Sequence, residues 1–147
     1  MPPLHVLFDG DCATCHALVR FALRHPARPT IRFVPLAAVV GTPAGEALAR
    51  RLGEPLGDTL VVVRDGQALT RSDAVLAVAT ALGGPWRLAA LGRWVPRRWR
   101  DGLYDAFAAR RHRLGCAPVA CQRLPPEARA LLLDALPPEV LPAEGGA

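Results

Sequence analysis

The fold is decided near the amino terminus, where residues 4–25 read LHVLFDGDCATCHALVRFALRH. His5 to Asp9 is a short, mainly apolar run that ends at Gly10, as a buried strand would. A helical pattern follows at once, because apolar residues recur at i, i+3, i+4 and i+7 on one face. This face comprises Cys15, Leu18, Val19 and Ala22, and the opposite stripe comprises Cys12, His16, Arg20 and Arg24. The stretch predicts a strand followed by a helix, with Cys12 pointing away from the buried face.

The rest of the first 84 residues continues this alternation. The predicted elements are a strand at Ile31–Val34, a helix at about Pro43–Leu52, a strand at Thr59–Val63, a strand at Gln67–Arg71 and a helix from Ser72 to Leu82. Asp65-Gly66 is a hairpin turn signal between two of these strands. A helical crossover makes the first two strands parallel, and the hairpin adds antiparallel strands. The order predicts a thioredoxin-like α/β fold over residues 1–84, with three layers around a mixed sheet.

Beyond Pro85 the pattern becomes helical, with predicted helices at Trp86–Leu91, at about Arg97–Arg113 and at about Pro126–Leu136. In the second of these, Trp99, Leu103 and Phe107 recur at i+4 spacing and predict a stripe that packs into the core. We expect residues 85–136 to form a helical extension packed on the first 84 residues. We expect residues 137–147 to be a disordered tail.

Composition narrows the class of protein. The chain has 147 residues, is 51% hydrophobic and carries a net charge of +5, which fits one globular domain and excludes collagen-like, mucin-like and coiled-coil proteins. The amino terminus lacks the features of a signal peptide. The longest apolar run, from Ala74 to Leu82 and interrupted only by Thr80, is about half the roughly 20 residues that cross a bilayer. We therefore expect a cytoplasmic protein without a transmembrane segment, in which cysteines are catalytic or bind metal rather than forming structural disulfides.

Cys12 and Cys15 lie where a strand gives way to a helix. Free backbone N–H groups and the helix dipole stabilise a thiolate at the first cysteine. A three-residue offset brings the second sulfur within reach of the first. The spacing predicts thiol-disulfide exchange, in which Cys12 attacks a substrate disulfide and Cys15 resolves the mixed disulfide. A buried structural dithiol and half of a zinc site are the alternative interpretations.

Three neighbouring side chains are candidates to assist these cysteines. Asp9, at the end of the strand, could carry a proton to or from Cys15. Asp11 is either the helix N-cap or a proton-transfer group. His16 would favour a thiolate if protonated, and is otherwise a surface residue. Asp11 and His16 are also candidates for contact with the substrate.

Several segments resemble the DCC family of thiol-disulfide oxidoreductases, which is named for the pattern formed here by Asp9, Cys12 and Cys15. The segments are LFDGDCATC (7–15), RFVPL (32–36), DTLVVVRDGQALTRSDAVL (58–76), LGGPWRL (82–88) and CQRLPPEARALLLD (121–134). The resemblance implies a thioredoxin-like fold and a redox role for the two motif cysteines. Unlike thioredoxins, the chain has no proline directly before Thr59, so either Asp58-Thr59 contacts the substrate in another way or the substrate docks differently.

Ser72 and Asp73 suggest a second subsite. In related folds that handle glutathione, this helix start receives the γ-glutamyl end, and here Ser72 with free N–H groups would suit a carboxylate while Asp73 would meet the ammonium group. The alternative is an ordinary helix cap with a dipole-compensating aspartate. We expect a protein or low-molecular-weight thiol substrate, with glutathione as a candidate cosubstrate, no other cofactor and no metal.

Two further features leave alternatives open. Cys116 and Cys121 are a second dithiol, an incidental pair, or zinc ligands together with the other two cysteines. Residues 87–113 contain eight arginines and two aspartates, so a nucleic-acid or acidic-lipid surface is one interpretation and a solvated arginine face is the other. We expect no specific nucleic-acid partner. The alternative function is a zinc-stabilised or nonenzymatic interaction module that uses the arginine-rich helices.

Overall fold

Strand β1 (Leu4–Phe8) is the centre of the fold. The structure, a computed structural model, describes residues 3–9, 13–25, 31–57, 59–115, 126 and 132–140. Four strands form one sheet in the order β2-β1-β3-β4, with β2 at Ile31–Pro35, β3 at Val61–Arg64 and β4 at Gln67–Thr70. Strand β1 pairs in parallel with β2 and antiparallel with β3, and β3 pairs antiparallel with β4. The predicted mixed sheet is confirmed.

Helices cover both faces of this sheet. They are α1 (Ala13–Leu23), α2 (Pro43–Leu52), α3 (Arg71–Leu82) and α4 (Arg97–Gly115). Residues of α1 and α3 pack with one face of the sheet in a single apolar cluster. Residues of α2 and of segment 132–140 pack with the other face in a second cluster. The chain therefore has the three-layer α/β architecture predicted from its sequence, with the α4 helix added.

Local signals in the sequence explain several element boundaries. The Thr42 hydroxyl caps α2 by accepting a hydrogen bond of 3.1 Å from the Gly45 N–H, and Gly53 ends that helix in the left-handed conformation. Asp65 and Gly66 both have positive φ, at 51° and 74°. This conformation suits the two-residue hairpin that the Asp-Gly pair predicts.

Three predictions about the helices are wrong. Helix α3 begins at Arg71 with Thr70 in the N-cap position, so Ser72 lies inside the first turn and does not cap the helix. Gly84–Trp94 is a 3-10 helix, where we predicted an α-helix at Trp86–Leu91.

The third error concerns the carboxyl-terminal segment. In the predicted helix Pro126–Leu136, Leu132 forms a parallel bridge with Phe33, and the Leu133 N–H donates a hydrogen bond of 2.8 Å to the Phe33 carbonyl oxygen. The described end of this segment therefore extends the sheet. Pro138–Val140, in the predicted tail, form a short 3-10 helix, and Val140 packs on the core.

The predicted core stripe of α4 is also wrong. Trp99, Leu103 and Phe107 are 65%, 74% and 50% exposed. Their side of the helix faces solvent because polar residues of α4 hold it to the fold through hydrogen bonds to Leu60 and Ser72. No helix among the described residues is both long enough and apolar enough to span a membrane.

Alanine substitution at two glycines, one in α2 and one in α4, tests the packing of α2. A Cβ atom at Gly45 would overlap the carbonyl oxygen of Val39, whereas a Cβ atom at Gly102 has no neighbouring atom within 4 Å. We expect Gly45→Ala to lower the free energy of unfolding by about 1–3 kcal/mol. We expect Gly102→Ala to raise it by about 0.5–1 kcal/mol, because alanine restricts the unfolded chain. Urea denaturation measures both, and equal effects would contradict the packing described for α2.

Candidate active site

The sheet topology brings several predicted site residues to one edge. Strands β1 and β2 end at this edge, while β3 begins there, since Leu7 pairs with Val61. Continuing this antiparallel register by two residues places Thr59 opposite Asp9. Strand β4 ends at the same edge, because Val61 also pairs with Thr70. The edge therefore gathers the end of β1, the start of β3 and the start of α3.

Helix α1 begins close to this edge. It starts at Ala13, four residues after Asp9, and Cys15 is its third residue. Position 15 therefore belongs to the first turn of an 11-residue helix. Cys12 directly precedes Ala13 in the sequence. Cys12 and Asp11 lie outside the described residues, as do Cys116 and Cys121, so the predictions for these four residues are not tested.

His16 and Asp9 lie on either side of the motif. His16 is buried, with 8% of its surface exposed, and its ring packs edge-on against Phe8 at a centroid distance of 6.3 Å. The surface alternative for His16 is therefore wrong, because its ring packs against the last residue of β1. Asp9 is half-buried and directly follows β1, and its proton-transfer role stays a prediction.

The start of α3 is held by α4 through charged groups. The Ser72 hydroxyl donates a short hydrogen bond to Asp101 Oδ1, and the Ser72 N–H approaches the same oxygen at 3.4 Å. Arg100 Nη1 donates to Asp73 Oδ1 at 2.8 Å. Arg97 Nε lies 3.2 Å from Asp73 Oδ2 and 3.4 Å from Asp101 Oδ2. Ser72 thus already bonds a carboxylate, and Asp73 already bonds two guanidinium groups. These groups carry the same charges as the carboxylate and the ammonium group of the γ-glutamyl end that we predicted to bind there.

The surroundings of Asp101 lower the pKa of its carboxyl. Burial acts to raise the pKa of Asp101, but the hydrogen bonds from the Ser72 hydroxyl and N–H lower it. The positive charges of Arg97 and Arg71 lower it further, so that the pKa lies below its ordinary value of 3.8. Asp101 is therefore ionised at neutral pH and bonds Ser72 as a carboxylate.

A second contact joins α4 to the start of β3. The Leu60 N–H donates a hydrogen bond of 3.0 Å to the Tyr104 hydroxyl. Thr59, the predicted substrate-contact residue, directly precedes Leu60 and is half-buried. Asp101 and Tyr104 were not predicted as site residues. Their i, i+3 spacing on a helix that also carries Arg97 and Arg100 was the available signal.

An apolar groove of about 650 Å³ opens between α1, α3 and α4. Its lining includes Leu18, Phe21, Leu60, Leu103 and Phe107. Leu18 belongs to α1 and follows Cys15 by three residues in the sequence. The groove therefore begins beside the motif helix and runs along the inner border of the exposed α4 stripe.

No cluster of three or more histidine, cysteine, aspartate or glutamate residues suited to a metal ion is found in the part of the chain that the structure describes. Three of the four cysteines lie outside that part. The zinc alternative therefore stays a prediction.

Comparison with known proteins identifies the family. The family model of DCC1-like thiol-disulfide oxidoreductases matches residues 6–117. The chain belongs to this family. The match includes Cys12, Cys15 and Cys116 and ends before Cys121, and it confirms the resemblance inferred from the sequence motifs.

Two relatives share most of the chain. The uncharacterized protein YuxK of Bacillus subtilis is 34% identical over 115 residues, which span 77% of this chain and 81% of YuxK. The chloroplastic DCC family protein At1g52590 of Arabidopsis thaliana is 30% identical over 120 residues, spanning 80% of this chain and 67% of that protein. No solved structure matches the chain.

The Asp101 anchor can be tested by its pH dependence. A carboxyl whose pKa is lower in the folded than in the unfolded chain stabilises the fold above the unfolded pKa, and this stabilisation is lost as the pH falls through the folded pKa. We expect Asp101→Asn to lower the free energy of unfolding by about 1–3 kcal/mol at neutral pH. The difference from wild type should shrink as the pH falls below about 4.

Asp105→Asn is the matched control on the same helix. The Asp105 carboxylate is 56% exposed and lies 3.8 Å from Arg71 Nε, so its removal should cost less than about 0.5 kcal/mol. Urea denaturation over a range of pH measures both variants. An Asp101→Asn effect that is equally small, or independent of pH, would show that the carboxylate does not anchor α4.

Proposed function

We propose that this chain is a thiol-disulfide oxidoreductase in which Cys12 is the nucleophile and Cys15 the resolving cysteine. The proposal is supported by the start of α1 at Ala13, the residue that follows Cys12 in the sequence, because a thiol near the start of a helix is stabilised as a thiolate. Membership of the DCC1-like thiol-disulfide oxidoreductase family supports the general activity.

The proposed reaction has two steps. The Cys12 thiolate attacks one sulfur of a substrate disulfide, so that the substrate S–S bond breaks and one substrate thiolate leaves. Cys15 then loses its proton and attacks the Cys12 sulfur, which releases the second substrate thiolate. The substrate gains two electrons and two protons, and the protein is left with a Cys12–Cys15 disulfide. An external dithiol, or two monothiols, must supply two electrons to restore the dithiol.

Asp9 is the proposed proton acceptor for Cys15. It follows directly after β1, whose five residues are all buried, so its backbone is fixed by the sheet. Its half-buried position at the site edge supports a proton-transfer role, since a carboxylate held near the resolving thiol can take the proton as that thiol attacks.

We propose a disulfide within a protein as the principal substrate and keep glutathione as the alternative. The γ-glutamyl carboxylate of glutathione would need the Ser72 hydroxyl and N–H, which already bond Asp101. Its ammonium group would need Asp73, which already bonds Arg97 and Arg100. Glutathione would have to displace α4 contacts to dock there, whereas the apolar groove beside Leu18 is an open surface for a polypeptide.

Trapping of a mixed disulfide tests the roles of the two cysteines. In a Cys116→Ser/Cys121→Ser background, we expect Cys15→Ser to accumulate a stable covalent complex with a labelled peptide disulfide, because no resolving thiol can release it. Cys12→Ser should trap little or none. Nonreducing gel electrophoresis followed by mass spectrometry measures the complex and its attachment site.

Two results would contradict the proposal. Equal trapping by both single variants would show that the nucleophile and resolving roles are not divided between Cys12 and Cys15. Stoichiometric zinc in protein purified without a chelator would instead support the zinc-stabilised module, since thiolates that bind a structural metal are not free to exchange disulfides.

A further inference from the structure

The 3-10 helix Gly84–Trp94 presents an apolar ridge to solvent. Residues three apart are eclipsed in a 3-10 helix, so Leu88, Leu91 and Trp94 lie along one edge. They are 67%, 58% and 86% exposed. Three adjacent, exposed side chains of this size form a contiguous patch of the kind that marks an interaction site.

The opposite edge of the same 3-10 helix contacts the body of the protein. The Trp86 ring packs edge-on against Phe21 of α1 at a centroid distance of 5.3 Å. Gly92 lies against Leu76 of α3, where an added Cβ atom would come within 3.0 Å of Leu76 Cδ2. These two contacts fix the orientation of the helix, so the exposed ridge is a defined face.

Helix α4 carries a second exposed apolar stripe. Trp99, Leu103 and Phe107 recur at i+4 spacing on one side of α4 and are at least half exposed. The other side is bound to α3 and β3 through Asp101, Arg100 and Tyr104. We name the Gly84–Trp94 ridge and this α4 stripe together the apolar face.

Four exposed arginines accompany the apolar face. Arg87 and Arg93 share the neighbouring edge of the 3-10 helix, because they are six residues, or two turns, apart. Arg98 and Arg110 lie on α4, and all four side chains are exposed. None of the four has an ion-pair partner among the described residues, whereas Arg97 and Arg100 are paired with Asp73. The positive charge of this segment is therefore available to an external anionic partner.

We propose that the apolar face binds peripherally to the surface of an anionic phospholipid bilayer. Arginines attract the negative headgroups, while leucine, phenylalanine and tryptophan side chains insert at the boundary between headgroups and acyl chains. A nucleic acid would use the arginines and could stack on the tryptophans, but it would leave Leu88, Leu91 and Leu103 exposed to water. Charge and exposed aliphatic side chains together favour the lipid surface.

Vesicle co-sedimentation of the full chain tests this proposal. We expect binding to phosphatidylcholine vesicles that contain phosphatidylglycerol and little binding to phosphatidylcholine alone. Leu88→Ser/Leu91→Ser should abolish co-sedimentation, because it removes side chains that insert into the bilayer. Arg87→Gln/Arg93→Gln should weaken binding by more than about tenfold. Because all four side chains are exposed, both double variants should keep the wild-type melting temperature.

Matched controls lie on the opposite face of the sheet. Arg50→Gln/Arg51→Gln removes two positive charges from α2, and Val40→Ser removes an exposed aliphatic side chain near the start of α2. Both variants should bind anionic vesicles as wild type does. If Arg50→Gln/Arg51→Gln weakened vesicle binding as much as Arg87→Gln/Arg93→Gln does, binding would depend on net charge alone and the proposed face would be wrong.

Three other results would also overturn the proposal. The first is no binding to anionic vesicles by wild type. The second is retardation of duplex DNA that depends on Arg87 and Arg93 but not on Leu88 and Leu91, which would identify a nucleic-acid surface. The third is a wild-type dimer, measured by light scattering, that becomes a monomer in Leu88→Ser/Leu91→Ser, which would show that a second copy covers the face.

Discussion

Burial of β1 on both faces is the constraint on which the rest of the structure depends. Leu4, Val6 and Phe8 face the cluster formed with α1 and α3, while Leu7 faces the cluster formed with α2. A shift of one residue would exchange these faces, so the register is fixed by both cores at once. The end of β1 is therefore fixed as well, and with it the place where the chain enters the Cys-Ala-Thr-Cys stretch and α1.

Helix α4 follows a different principle, because polar bonds rather than apolar packing hold it. Asp101 and Arg100 bond the first turn of α3, and Tyr104 accepts from the backbone of Leu60. These contacts place α4 beside two of the three chain segments that meet at the site edge. They also turn the apolar side of α4 outwards, so one set of bonds accounts for a wall of the candidate site and for the exposed apolar face.

The sequence alone predicted the sheet correctly but predicted the packing of the carboxyl-terminal extension wrongly, and both outcomes have physical reasons. The short apolar run of β1, the apolar face of α1 and the Asp65-Gly66 turn are local signals that predict their elements correctly. The stripe of Trp99, Leu103 and Phe107 predicted burial wrongly, since helical periodicity shows which residues share a face but not which face packs. At the site, the end of β1 and the start of α1 were predictable from spacing. The bonds between Ser72 and Asp101 were not, because they join residues far apart in the chain.

An equilibrium redox titration tests the central claim most directly, which is that Cys12 and Cys15 form a reversible dithiol-disulfide pair. It is performed on the full chain with Cys116→Ser/Cys121→Ser, so that no other pair contributes, and on the same chain with Cys12→Ser added. The account predicts one two-electron transition in the first protein and none in the second. Absence of a transition in the first protein, or its persistence after Cys12→Ser, would contradict the account.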